Sequence, residues 1–173
     1  QRRLGQAVAI NGVGDAICMG GPGLPPPGYV RCYDWDGSTW TMREELSGTT
    51  QGGSDSTQFG SDIDMSSDGK VVVVGEPAGD YQLPDGSWLS GLVKVYSYDN
   101  EIVHDLFTGW VQVGLWGTTM EQYRYGIAVA ISGDGTTVVV GAPNDPTNGV
   151  HHGLVEIWTA QAAVARSLAS FTL

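Results

Sequence analysis

The chain has 173 residues, with 8 Lys+Arg against 19 Asp+Glu, which gives a net charge of −11. This balance argues against nucleic-acid binding, which needs a basic surface, and against docking on anionic lipids. No apolar run approaches the ~20 residues of a membrane helix, so membrane insertion is not expected. The length suffices for one domain with a sizeable core.

Three segments align on one another, and each opens with a large apolar residue and a glycine. These pairs are Leu4-Gly5, Phe59-Gly60 and Tyr125-Gly126. A second marker follows at the same spacing in every copy, as Gly20-Gly21-Pro22, Gly75-Glu76-Pro77 and Gly141-Ala142-Pro143. The recurrence predicts one domain of three repeats, approximately 4–58, 59–124 and 125–173. Because the first residues already lie inside a repeat, we expect a segment to precede them in the precursor.

Each repeat carries strand signals in the same order. Asp68-Gly69 and Asp134-Gly135 precede β-branched runs, which is a strong hairpin signal because glycine supplies the positive φ of a tight turn. Third strands begin at Gly28, Gly91 and Gly153, and fourth strands begin near Trp40 and Trp110. The tail 159–173 is rich in alanine and atypical.

Four short antiparallel strands per repeat predict an all-β fold of propeller-like blades. A β-sandwich whose strands are similar by accident is the alternative. The markers Phe59-Gly60 with Gly75-Glu76-Pro77, and Tyr125-Gly126 with Gly141-Ala142-Pro143, resemble the FG-GAP repeat of integrin-α-type β-propellers. The resemblance covers about residues 4–158 and implies an extracellular or cell-surface interaction protein.

Three blades are too few to close a propeller, which takes about four to eight. The chain is therefore expected to be a fragment of a longer propeller, or to be completed by partners such as further copies. The FG-GAP family often carries calcium in the turn after its first strand. Here Asp64, Ser66 and Asp68 have calcium-loop spacing but no closing carboxylate, so a plain hairpin turn is the alternative. No cofactor other than this candidate calcium ion is predicted.

Other polar and sulfur side chains give few chemical signals. Cys18 and Cys32 fall on strands expected to be antiparallel neighbours, so they form a disulfide or remain two buried thiols. Asp62 and Asp64 replace alanines of the third repeat on a first strand, where they would line a channel, bind a cation or face solvent. No nucleophile motif or catalytic constellation is visible, and we expect no enzyme activity.

Variable loops are the candidate binding surface, because binding residues concentrate in loops on a rigid scaffold. We place them at about 22–27, 77–90 and 142–152 between second and third strands, and at 47–57 and 118–124 between repeats. The candidate residues in or beside them are Asp80, Tyr81, Asp85, Trp88, Tyr123, Asp145, His151 and His152.

The sequence thus predicts a non-enzymatic extracellular module for adhesion or assembly. Its expected partners are other protein subunits, including copies of itself, and surface glycans. One alternative is a structural subunit of a surface filament or sheath, whose blades or tail are completed by neighbours. The other is an ancillary domain of a secreted hydrolase whose catalytic part lies elsewhere.

Overall fold

The computed structural model describes residues 3–23, 27–48, 57–82, 84–99, 109–118, 124–143 and 153–159. The strands are β1 (Ala7–Ile10), β2 (Ala16–Gly21), β3 (Tyr29–Trp35), β4 (Trp40–Ser47), β5 (Ile63–Met65), β6 (Val71–Gln82), β7 (Trp88–Asp99), β8 (Gly109–Thr118), β9 (Ala128–Ile131), β10 (Thr137–Ala142) and β11 (Leu154–Thr159). No helix long and apolar enough to cross a membrane occurs within these ranges.

The strands form three antiparallel sheets in sequential order. Sheet 1 contains β1–β4, sheet 2 contains β5–β8, and sheet 3 contains β9–β11. The described residues contain no helix. The predicted all-β fold of three blade-like sheets is therefore confirmed, and the atypical tail lies, beyond Thr159, outside the described residues.

The turns between first and second strands are built by short polar side chains. In sheet 2 the Ser66 hydroxyl donates to Asp68 and accepts a hydrogen bond from the Val71 amide. In sheet 3 the Ser132 hydroxyl likewise donates to Asp134 and accepts a hydrogen bond from the Thr137 amide. These bonds close the turns that the Asp-Gly pairs predict.

We expect the turn of sheet 2 to lose stability in acid. The Ser66 hydroxyl and other donors hold the pKa of Asp68 below its ordinary value of 3.8. The folded state therefore binds this proton less readily, so the stabilisation is complete above that value and is lost as the pH falls through the lowered pKa. Asp68→Asn should lose less stability than the wild type between pH 6 and pH 3 in urea unfolding. Equal losses in both proteins would contradict this role.

The hairpin of sheet 2 corrects one predicted loop. Residues 77–90 were expected to form a loop, but β6 runs on to Gln82 and β7 begins at Trp88. Pro77 lies in an irregular stretch of the ladder, which resumes at the pair Asp80–Ser90. The strands can continue because Gln82 pairs with Trp88, so only the few residues between them are needed for the turn, where Gly86 takes a φ of 87°.

A disulfide joins the middle strands of sheet 1. Cys18 and Cys32 are direct cross-strand partners and are bonded in the structure. Both are completely buried between sheets 1 and 2. The bond closes a loop with a sequence separation of 14 residues, for which chain-entropy arguments give a stabilisation of about 3 kcal/mol.

Reducing the protein, or making Cys18→Ala with Cys32→Ala, should therefore lower the free energy of unfolding by about 3 kcal/mol. Urea unfolding with and without reductant measures the effect, and the double variant should be insensitive to reductant. Two titratable thiols in the native, unreduced protein would contradict the bond.

The sheets pack face to face, and sheet 2, in the middle, contributes alternate side chains to two different contacts. One core lies between sheets 1 and 2, and a second lies between sheets 2 and 3. We call the face toward the preceding sheet the leading face, and the face toward the following sheet the trailing face. Sheet 2 is covered on both faces, with Val72 and Val74 on its leading face and Val73 on its trailing face.

Candidate functional site

The first strands of the three sheets lie next to one another, and two carboxylates join the second to the third. Asp62 accepts a hydrogen bond from the Val129 amide at 2.8 Å, and Asp64 accepts one from the Ile131 amide at 2.8 Å. These carboxylates fasten β5 to β9, a role that the sequence analysis missed. No local signal reveals it, because each partner lies 67 residues further along the chain.

The turns after the first strands continue this connection across all three sheets. The Gly12 amide donates to the Ser67 carbonyl at 2.9 Å, and the Ser67 amide donates to the Gly133 carbonyl at 2.8 Å. The three residues occupy equivalent positions in their repeats. The turns of sheets 1 and 2 thus each donate one backbone hydrogen bond to the turn of the next sheet.

In the first and second repeats, the second marker glycine permits close approach of the following sheet. A Cβ atom at Gly20 would lie 2.1 Å from the Gly60 carbonyl oxygen, and one at Gly75 would lie 2.0 Å from the Gly126 oxygen. Any side chain would separate the sheets, because real Cβ atoms do not approach so closely. These second marker glycines, which the sequence analysis identified by their spacing, therefore lie at the contacts between sheets.

In the second and third repeats, the large apolar residue before the first marker glycine is buried against the preceding sheet. A Cβ atom at Gly28 would lie 2.5 Å from the Phe59 oxygen, and one at Gly91 would lie 3.0 Å from the Tyr125 Cβ. The Tyr125 hydroxyl also donates to Glu156 at 2.7 Å. Burial raises the pKa of this hydroxyl, and the bond to the carboxylate raises it further.

Sheet 1 has an open leading face. Val8 is 67% exposed and Ile10 is 61% exposed, whereas their equivalents in sheet 2, Ile63 and Met65, are 4% and 5% exposed. Trp35 and Trp40 lie on the same face, and their rings are 5.4 Å apart. Cross-strand pairing brings together Val8, Ile10, Ile17, Met19, Tyr33 and Met42.

Sheet 3 has an open trailing face. Val155 is 41% exposed, whereas its equivalent in sheet 2, Val93, is fully buried. Ala128 and Ala130 of β9 are exposed as well. A groove of about 420 Å³ opens at this edge, and it is lined by Ile127, Ala128, Gly141, Ala142, Pro143, Gly153, Leu154 and Val155.

Inside the chain, the trailing face of one sheet packs twice against the leading face of the next. The two open faces are one leading face and one trailing face of the same kind. Leu4 and Gly5 correspond to Phe59-Gly60, yet Leu4 is 39% exposed and a Cβ at Gly5 meets no described atom within 4 Å. At Gly141 the nearest described atom to a Cβ is the Ala128 side chain, at 3.4 Å. Among the described residues, the groove around Gly141 and Gly153 on sheet 3, which we call the seat, is therefore unoccupied, and Leu4-Gly5 of sheet 1 packs against no preceding sheet.

The predicted loop residues are not brought together as a site in the described part of the chain. Asp85 lies at the tip of the β6–β7 hairpin, where its carboxylate accepts hydrogen bonds from Ser87. Asp80, Tyr81 and Trp88 belong to the two strands of that hairpin. Four further candidates lie outside the described residues: Tyr123, Asp145, His151 and His152.

The calcium candidates make hydrogen bonds within the protein. Asp64 bonds the Ile131 amide of sheet 3, and Ser66 bonds Asp68 inside the turn. Across the described ranges, no three His, Cys, Asp or Glu side chains gather into a metal-binding group. The calcium site stays a prediction, and in the structure these side chains hold the turn and the neighbouring sheet.

No protein-family model and no curated protein matches the chain. Solved structures do resemble it. A proposed 6-phosphogluconolactonase from Bacteroides fragilis matches with 15% identity and a TM-score of 0.57 over 94% of this chain and 36% of its own. One from Bacteroides uniformis matches with 13% identity and a TM-score of 0.56 over 94% of this chain and 38% of its own.

A third structure is the β-propeller domain of Myceliophteria thermophila Cps50 (Swd1). It matches with 13% identity and a TM-score of 0.52 over 88% of this chain and 37% of that domain. The chain thus spans little more than a third of the length of these proteins. At such identities the likeness shows the fold alone: the protein has a β-propeller-like fold in which each sheet corresponds to one blade.

Proposed function

We propose that this protein is a non-enzymatic assembly module of the extracellular space or cell surface, which binds protein surfaces through its two end sheets. The observation that carries the proposal is the pair of open apolar faces on sheets 1 and 3. Their residues have the same character as those buried inside the chain, as the contrast between Val8 and Ile63 shows. Large exposed apolar faces typically mark interaction sites.

The buried disulfide supports the extracellular assignment, because such bonds persist in oxidising compartments. The FG-GAP relationship is part of the same proposal. It is supported by the recurring pairs of an apolar residue and a glycine, now seen as contacts between sheets. The polar hairpin tip around Asp85 supports an additional role in binding glycans or proteins, at the rim of the assembly.

The native mass of the purified chain as a function of concentration tests the proposal. Sedimentation velocity at physiological salt should show species heavier than one chain of 18.3 kDa. Ile10→Asp, on the leading face, should shift these species toward single chains because it places a charge in an apolar contact. A wild-type protein that remains a single chain at all concentrations, and binds no protein surface, would overturn the proposal.

A further inference from the structure

We infer that the occupant of the open seat on sheet 3 is the Leu4-Gly5 dipeptide of a second copy of this chain, so that two copies close one six-bladed ring. This inference rests on the proposed assembly function and names its partner. It requires the two end faces to fit each other as the internal sheets do, which three observations support.

The first observation is the identity of the first strands. β1 and β9 have the same sequence, Ala-Val-Ala-Ile. In β9, Val129 is buried against sheet 2, while Ala128 and Ala130 remain exposed. In β1 the reverse holds, because Ala7 is buried against sheet 2 and Val8 is exposed. The positions that are exposed in β1 are therefore buried or partly buried in β9, and the positions that are exposed in β9 are buried or partly buried in β1.

The second observation is the fit at the glycines. Phe59-Gly60 and Tyr125-Gly126 are each seated on the preceding sheet, with their glycine oxygens against Gly20 and Gly75. Gly141 is the third-repeat equivalent of Gly20 and Gly75, and Gly153 is that of Gly28 and Gly91. Both line the groove on sheet 3. A large apolar side chain followed by glycine is thus the shape that this groove accepts, and Leu4-Gly5 has that shape.

The third observation concerns number and symmetry. Propellers close with about four to eight blades, and two chains of three sheets supply six. Three chains would supply nine, outside that range. The backbone hydrogen bonds between the turns fit the same closure. The Gly133 amide of one copy would donate to the Gly12 carbonyl of the other, as the Gly12 amide donates to the Ser67 carbonyl inside the chain.

Gly141→Ala tests the seat directly. A methyl group has room in the single chain, where the nearest described atom is 3.4 Å away, but would collide with an incoming glycine carbonyl. We expect the two-chain species to be replaced by single chains, with a dissociation constant raised at least about 100-fold. Leu4→Ser, which removes the seated side chain, should weaken association in the same way. Ser38→Ala, at the exposed turn between β3 and β4, should leave the two-chain mass unchanged.

A cross-link tests the geometry independently. Within the chain, Cβ atoms at Gly12 and Gly133 would lie 3.2 and 3.6 Å from the Ser67 Cβ, close to disulfide spacing. A protein carrying both Gly12→Cys and Gly133→Cys should therefore oxidise to a covalent two-chain species on a non-reducing gel. Proteins with either change alone should remain largely single chains.

The outcomes separate this inference from the assembly function. Association that survives Gly141→Ala and Leu4→Ser, without cross-linking in the double variant, would overturn the ring while leaving assembly through other surfaces. A ladder of increasing masses would also overturn the ring, because it indicates an open polymer. A wild-type protein that is always a single chain would overturn both.

Discussion

Lys94→Met is expected to lower the free energy of unfolding by about 3–5 kcal/mol, as for other buried ion pairs that lose one partner. The Lys94 Nζ lies 2.8 Å from a carboxylate oxygen of Glu76, and both side chains are buried. The ammonium also lies 5.1 Å from the centre of the Phe59 ring, at the contact between sheets 1 and 2. Removing it takes the Lys94 ammonium away from the buried Glu76 carboxylate, whose charge it compensates.

Urea unfolding of Lys94→Met should be compared with two other proteins. Arg31 occupies the equivalent position in sheet 1, and its ion pair with Glu45 is partly exposed, so Arg31→Met should cost much less stability than Lys94→Met. Adding Glu76→Leu to Lys94→Met should recover most of the loss, because an apolar pair needs no compensating charge. A double variant that is less stable than Lys94→Met alone would contradict this account.

Gly75→Ala is expected to cost at least about 3 kcal/mol, at the upper end of the usual range for overpacked sites. The added methyl group would lie 2.0 Å from the Gly126 carbonyl oxygen, which is backbone and cannot rotate away. Sheets 2 and 3 must therefore move apart, which also weakens the hydrogen bonds from the Val129 and Ile131 amides to Asp62 and Asp64.

Gly141→Ala is the matched control, because it makes the same chemical change at the equivalent position of sheet 3. With its nearest described atom 3.4 Å away, the methyl group should change stability by no more than about 0.5 kcal/mol. Both proteins should be unfolded in urea at concentrations where the wild type is a single chain. Equal losses in the two variants would show that the close approach of sheets does not explain the marker glycines.

Much of the fold could be predicted from the sequence because its signals are local. Alternating side chains, Asp-Gly turns and regularly spaced glycines act within a few residues, and they predicted the order of the strands in all three sheets. They failed at 77–90, where a proline and turn residues suggested a loop but the ladder resumes beyond the irregularity. Pairing across the hairpin outweighed the local signal there.

The contacts between sheets were decided by the tertiary structure alone. Asp62 was an unassigned carboxylate in the sequence, and its amide partner Val129 lies 67 residues away. Glu76 and Lys94 showed no pattern that would pair them, because equivalent positions in the other repeats carry different residues. The sequence by itself determined three similar repeats, two of them with four clear strands, and their marker glycines. Only packing, which joins residues distant in the chain, decided which faces are covered and which two remain open.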